Sequence, residues 1–306
     1  MGEARNRSIV LPLVFIGLLA PSGDAVAASP APEVQEPRAP SLEDIVKLRV
    51  VYTISGMERA EVRRDLTYKM AAGEPLKMDV YRPPESRSGT ALPGVVFVHG
   101  GPVPPGRSVK DWTVFISYGQ LAAASGFVGV AFNHRFHSPA VLADSAADVS
   151  DLITHVRAHG AELGIDSNRI AVWVFSGGGP LLSPFLREPP EWLRALVSYY
   201  AFLDVPEASG GPDPIGSEAR RRLSPLSALE AGAAGLPPLL IARAGRDFPA
   251  LNTTVDRFVQ AALARNAPLE LLNHPAGRHA FDILDDDARS HEVIARTFDF
   301  LRTHLR

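Results

Sequence analysis

The sequence predicts an α/β chain, with a mostly parallel central sheet, helices on both faces and an antiparallel hairpin on its N-terminal side. Three observations carry this. Short β-branched runs, "GVVFVHGG" (Gly94 to Gly101), "FVGVAFN" (Phe127 to Asn133), "RIAVWVFS" (Arg169 to Ser176) and "PLLIARAG" (Pro238 to Gly245), are continuously apolar, as strands covered on both faces are. Longer helix-compatible stretches separate them, which favours right-handed crossovers within one sheet. Ahead of them, Asp65 to Tyr68 and Leu76 to Tyr81 alternate around Ala72-Gly73-Glu74, and Pro83-Pro84 stop the second arm.

Taken in chain order, residues 1–27 read as a cleavable secretory signal. Arg5 and Arg7 precede the apolar run Ile9 to Ala20, and Ala25-Val26-Ala27 supplies an A-x-A site. The run is shorter than the roughly 20 residues a spanning helix needs, so export to the periplasm or beyond is expected, with no stable membrane insertion after processing. Residues 28–40, "ASPAPEVQEPRAP", lack apolar periodicity and read as a flexible mature N-terminus. A single domain is expected over residues 41–306, beginning with a stretch, Ser41 to Gly56, that suits a short helix or a strand equally. Val141 to His159 carries a helical apolar stripe ended by Gly160. Gly178 to Arg187, Phe258 to Ala264 and Val293 to Leu305 also suit helices. The Gly-, Pro- and Ala-rich segment from Val205 to about Pro237 reads as a short lid insertion.

The 306 residues, 46% of them hydrophobic, suffice for a sizeable core, and the formal charge of -3 offers no basic surface for nucleic acid. The chain has no cysteine, hence no disulfide and no lipid carried on an N-terminal cysteine. Nothing in it fixes an oligomeric state.

In open parallel sheets, sites gather at the carboxyl ends of strands, and four such ends carry chemistry here. "FVHGGPV" places glycines after an apolar run, where backbone N–H groups can approach a ligand. Pro102 lacks an N–H, which leaves Gly100 or Gly101 as donor. "AVWVFSGGGP" sets Ser176 between a strand and a helix start, as in the nucleophile elbow G-x-S-x-G, although Val174 replaces the first glycine. The Gly177 N–H would be a second oxyanion donor. "LLIARAGRDFP" delivers Asp247, and "LELLNHPAGRHAFD" delivers His279. A serine hydroxyl needs an adjacent base, and the imidazole needs a carboxylate to fix its tautomer. Asp204 is the second choice of acid and His274 of base, while Asp282 and Asp285 to Asp287 read as a solvated helix start. His99, His134 and His137 lack metal-binding spacing, so neither metal nor cofactor is expected; His99 reads as support for the oxyanion loop. Arg135 and Asp148 read either as a buried pair behind the site or as solvated charges. Trp112, Phe115, Tyr199 and Tyr200 are candidate pocket residues.

Together the pieces "DVYRP" (Asp79 to Pro83), "VFVHGG" (Val96 to Gly101), "NHRF" (Asn133 to Phe136), "FSGGG" (Phe175 to Gly179), "AGRD" (Ala244 to Asp247) and "GRHAFD" (Gly277 to Asp282) resemble the α/β-hydrolase superfamily. The likeness is to its bacterial esterases and to its dienelactone-hydrolase-like or prolyl-oligopeptidase-like members. The resemblance runs from about Asp65 to the C-terminus. It implies an α/β-hydrolase fold, a Ser176, Asp247, His279 triad with Gly101 and Gly177 as oxyanion donors, and a small-molecule ester as substrate. The rival readings are a serine peptidase and, because of Val174, a catalytically silent binding protein.

Overall fold

The computed structural model describes residues 41–84, 91–205, 213–232 and 234–306. The expected leader and N-terminal linker lie outside these, as does part of the expected lid. Ser41 caps a single helical turn, α1 (Leu42–Ile45), which resolves the ambiguity of that segment in favour of a short helix followed by extended chain. The hairpin forms as expected from β1 (Glu61–Ala71) and β2 (Glu74–Arg82). Its turn residues Ala72 and Gly73 both take positive φ, 50° and 86°, which matches the twist of the two strands.

Then follow β3 (Leu92–Val98), α2 (Thr113–Ala124), β4 (Val128–Phe132), α3 (Leu142–Ala158), α4 (Gly160–Leu163) and β5 (Ile165–Phe175). The second half comprises α5 (Ser183–Arg187), β6 (Leu193–Tyr199), α6 (Ser217–Leu223), α7 (Pro225–Glu230), β7 (Leu239–Ala244), α8 (Pro249–Ala264), β8 (Leu269–His274), α9 (Phe281–Leu284) and α10 (Ala288–His304). The eight strands form one sheet in the order β1-β2-β4-β3-β5-β6-β7-β8. Pairs β1/β2 and β2/β4 are antiparallel, and every other pair is parallel.

Strand alternation divides the core into two layers. Val96, Val98, Val172 and Val174 face a layer closed by α3, α5, α7 and α8, whereas Val95, Phe97, Trp173 and Phe175 face one closed by α2 and α10. In α10, Val293, Ile294, Phe298 and Leu301 are at most 1% exposed, so a single stripe buries the helix while Asp287 caps its first turn through the Ser290 N–H. Two expectations change. The residues after Ser176 form a 3-10 helix, Ser176–Leu182, before α5 begins, because Pro180 and Pro184 interrupt regular α-helical bonding. Moreover, 217–230 of the expected lid is the β6-to-β7 crossover, with Leu223, Leu226 and Leu229 in the core. Parallel neighbours need such a connection.

Candidate active site

The carboxyl ends of β3, β5, β6, β7 and β8 converge on Ser176. The chain leaves β5 at Phe175 and turns at once, with Ser176 held at φ 51°, a left-handed conformation that costs a non-glycine residue free energy and projects its side chain from the turn. Val174 does not prevent this: it lies on the α3 side of β5, fully buried beside Val98.

The Ser176 hydroxyl lies 2.9 Å from His279 Nε2. On its far side His279 Nδ1 meets Asp247 Oδ2 at 2.8 Å and Oδ1 at 3.0 Å. An ionised carboxylate only accepts, so Nδ1 carries the proton and the Nε2 lone pair faces the serine hydroxyl. Asp247 follows β7 in a tight turn, its carboxylate fully buried and held by the Phe248 N–H at 2.7 Å. This arrangement can withdraw a proton from Ser176 and stabilise the imidazolium that results. The alternatives are engaged elsewhere. Asp204 accepts from Ser224 Oγ and Arg257, and His274 Nε2 pairs with Ser290 Oγ.

The glycine loops close around the serine. A Cβ at Gly100 would lie 2.8 Å from Ser176 Cβ, and one at Gly177 would lie 2.2 Å from the Gly101 carbonyl oxygen and 3.0 Å from its nitrogen. Only glycine permits this approach of two backbones. Neither the Gly101 nor the Gly177 N–H donates to another backbone carbonyl among the described loops, so both remain free to stabilise an anion beside Ser176.

A buried scaffold supports the β3 loop. The Asp148 carboxylate, fully buried, accepts from Arg135 Nε and Nη2, both at 2.9 Å, from the Arg135 N–H and from Lys69, so the pair is the buried one. Its neighbour Phe136 packs where a Cβ of Gly101 would sit, and its carbonyl accepts from Val103 N–H at 2.9 Å. Beneath lie His99 and His134, stacked with centroids 3.7 Å apart. Nδ1–H of His99 donates to the Gly100 carbonyl and Nε2–H of His134 to that of His99. Burial pushes the His99 imidazole down to about 4, and burial together with His99 pushes His134 well below its ordinary value.

Both rings are therefore neutral in the folded protein, whereas in the unfolded chain they bind protons near pH 6.5. Stability contributed by the neutral rings is complete above that value and declines as pH falls from about 6.5 towards about 4. For His99 alone the loss is roughly 3 kcal/mol. The urea midpoint is expected to drop steadily across this window, and His134→Phe, which keeps a ring in the stack, should flatten the decline. A midpoint constant from pH 7 to pH 4.5 would contradict this account.

The expected pocket aromatics separate. Tyr199 is fully buried, its hydroxyl bonded to Thr297 Oγ1 at 2.7 Å and its ring against Trp173, and Phe115 is buried against Phe175, so both belong to the core rather than the pocket. Strand alternation sends Tyr199 inward. Trp112 is half-buried at the start of α2. Tyr200, at 5% exposure, presents its ring edge-on to His279 at 4.9 Å. Sequence reasoning missed Phe248, 48% exposed with its ring 5.5 Å from His279. Its signal was an apolar residue immediately following Asp247. Asp282 is the reverse: expected in solvent, it is fully buried and accepts from Tyr118 and Tyr200. No group of three or more potential metal-binding side chains occurs among the described residues.

Residues 78–184 match the BD-FAE family model. No curated protein matches the chain. Among solved structures it is similar to a thermophilic esterase of the Planctomycetes species Thermogutta terrifontis with butyrate bound, at 23% identity over 81% of this chain and 95% of that one, TM-score 0.63. It is likewise similar to esterase 2 of that species phosphonylated by sarin, at 23% identity over the same shares, TM-score 0.66. The same esterase phosphorylated by paraoxon gives 22% identity over 80% and 92%, TM-score 0.59. Strand order, an elbow at the end of β5 and this likeness of fold show that the chain has an α/β-hydrolase fold.

Proposed function

We propose that the protein is a serine hydrolase that cleaves a carboxylic ester through an acyl-enzyme on Ser176. The observation that carries this is the continuous hydrogen-bonded line from Ser176 Oγ through His279 to Asp247. In this reading His279 Nε2 takes the hydroxyl proton as Ser176 Oγ bonds to the carbonyl carbon, and the carbonyl oxygen becomes an oxyanion held by the Gly101 and Gly177 N–H groups. His279 then returns the proton to the departing alkoxide. Water repeats the sequence on the acyl-enzyme, releasing the acid and restoring the hydroxyl. Phe248, half-exposed with its ring 5.5 Å from the His279 imidazole, supplies an apolar surface beside the base and favours an apolar group of the ester there.

The neighbouring esterase bears phosphonyl and phosphoryl groups from sarin and paraoxon, which supports an activated nucleophile in this fold. The Arg5, Arg7 and Ala25-Val26-Ala27 pattern supports export before the enzyme acts. The purified protein is expected to hydrolyse p-nitrophenyl acetate and to take up one fluorophosphonate at Ser176, with labelling lost on heating. A folded protein that stays unlabelled and inactive would instead be a silent binding module.

A further inference from the structure

Asp282 is a fully buried carboxylate with no cationic partner among the described residues. Burial raises its affinity for a proton, and the hydrogen bonds of Tyr200 and Tyr118 oppose that rise. Burying such a group is costly unless hydrogen bonds compensate it. Asp282 Oδ1 accepts from Tyr200 Oη at 2.6 Å and Oδ2 from Tyr118 Oη at 2.7 Å, while its carbonyl accepts from the Val51 N–H. It therefore ties α9, which begins just beyond His279, to α2 and to the turn after β6.

That turn touches both arms of the site. Tyr200, at φ 36°, packs its ring edge against the His279 imidazole, and two residues on the Phe202 N–H donates to the Ser176 carbonyl at 3.1 Å. The Phe202 carbonyl lies 2.0 Å from where a Cβ of Gly179 would stand, so the turn is pressed against the serine elbow. The groups facing the imidazole are Ser176, Asp247, Phe248 and Tyr200, with Asp282 behind Tyr200.

We propose that Asp282 is a positioning residue: by clamping Tyr200 it sets the imidazole of His279 against Ser176 and holds the two arms of the site in register. The inference rests on the ester-hydrolase reading of that site.

Asp282→Asn leaves one tyrosine hydroxyl without its acceptor. It is expected to lower kcat on p-nitrophenyl acetate roughly 10- to 100-fold with KM nearly unchanged, the scale of loss that follows small misplacement of reacting groups. Tyr200→Phe keeps the ring but not the clamp, and should lower kcat about tenfold. Tyr199→Phe is the control: it loses a comparably buried hydroxyl bond, to Thr297, and should lower Tm while leaving kcat within twofold.

The downfield Nδ1 proton of His279, followed by NMR, should persist in Tyr199→Phe and broaden or vanish in the other two variants. This readout needs no turnover, so it tests the clamp even if the wild type proves inactive, an outcome that would remove the hydrolase reading instead. If Asp282→Asn does not fold, Tyr200→Phe decides. A Tyr200→Phe protein with wild-type kcat and an unchanged His279 resonance would overturn the proposal.

Discussion

Ser176→Ala is expected to lower kcat on p-nitrophenyl acetate by roughly 10⁴- to 10⁶-fold, the scale seen when the nucleophile of such a unit is removed. What remains should be the modest acceleration supplied by binding and by the Gly101 and Gly177 donors. The loss should be purely chemical. Ser176 sits at φ 51°, and alanine meets the same backbone strain as serine there, so the unfolding free energy from urea titration should stay within about 0.5 kcal/mol of wild type. Active-site titration with a fluorophosphonate would show no incorporation at position 176. Full activity in this variant would remove Ser176 from the mechanism.

Asp247→Asn should cost about 10⁴-fold in kcat, and the local geometry says why. The Phe248 N–H donates to Asp247 Oδ1 at 2.7 Å and would keep the amide oxygen of the replacement on its side. The amide NH₂ would then face His279 Nδ1, which must accept instead of donate. The imidazole proton would shift to Nε2, pointing at the serine and removing the base. Asp204→Asn, which disturbs contacts to Ser224, Arg257 and the Val205 N–H away from His279, should leave kcat within a few-fold. Comparing the two at pH 8 distinguishes the candidate acids. A loss of less than tenfold in Asp247→Asn would mean that the tautomer of His279 is fixed by another group.

The parts of the molecule visible in the sequence are those with a local cause. The central strands show as unbroken apolar runs because both faces of the sheet are covered, and Ser176 and Asp247 stand just past two such strands, whereas His279 lies in the loop after the half-exposed edge strand β8. The glycines flanking Ser176 are legible for the same reason, since close backbone contact admits no other residue. Long-range partners leave no such mark. Asp282 resembles the neighbouring acids Asp285 to Asp287 in sequence, and only folding brings Tyr118, far upstream, onto its carboxylate. Tyr199 and Tyr200 are adjacent in the chain, yet one ends a strand facing the core and the other lies in the turn against His279. The segment read as a lid had a discernible constraint, because the parallel pairing of β6 with β7 requires a crossover, and α6 and α7 supply it.

The seam where Gly101 abuts Gly177 leaves no volume for a side chain on either backbone. Mutational drift is therefore barred from the inner wall of the site and channelled to its rim, where Phe248 keeps open surface. On the hydrolase reading proposed above, descendants would diversify in the molecules they accept by repainting that rim while inheriting the same chemistry.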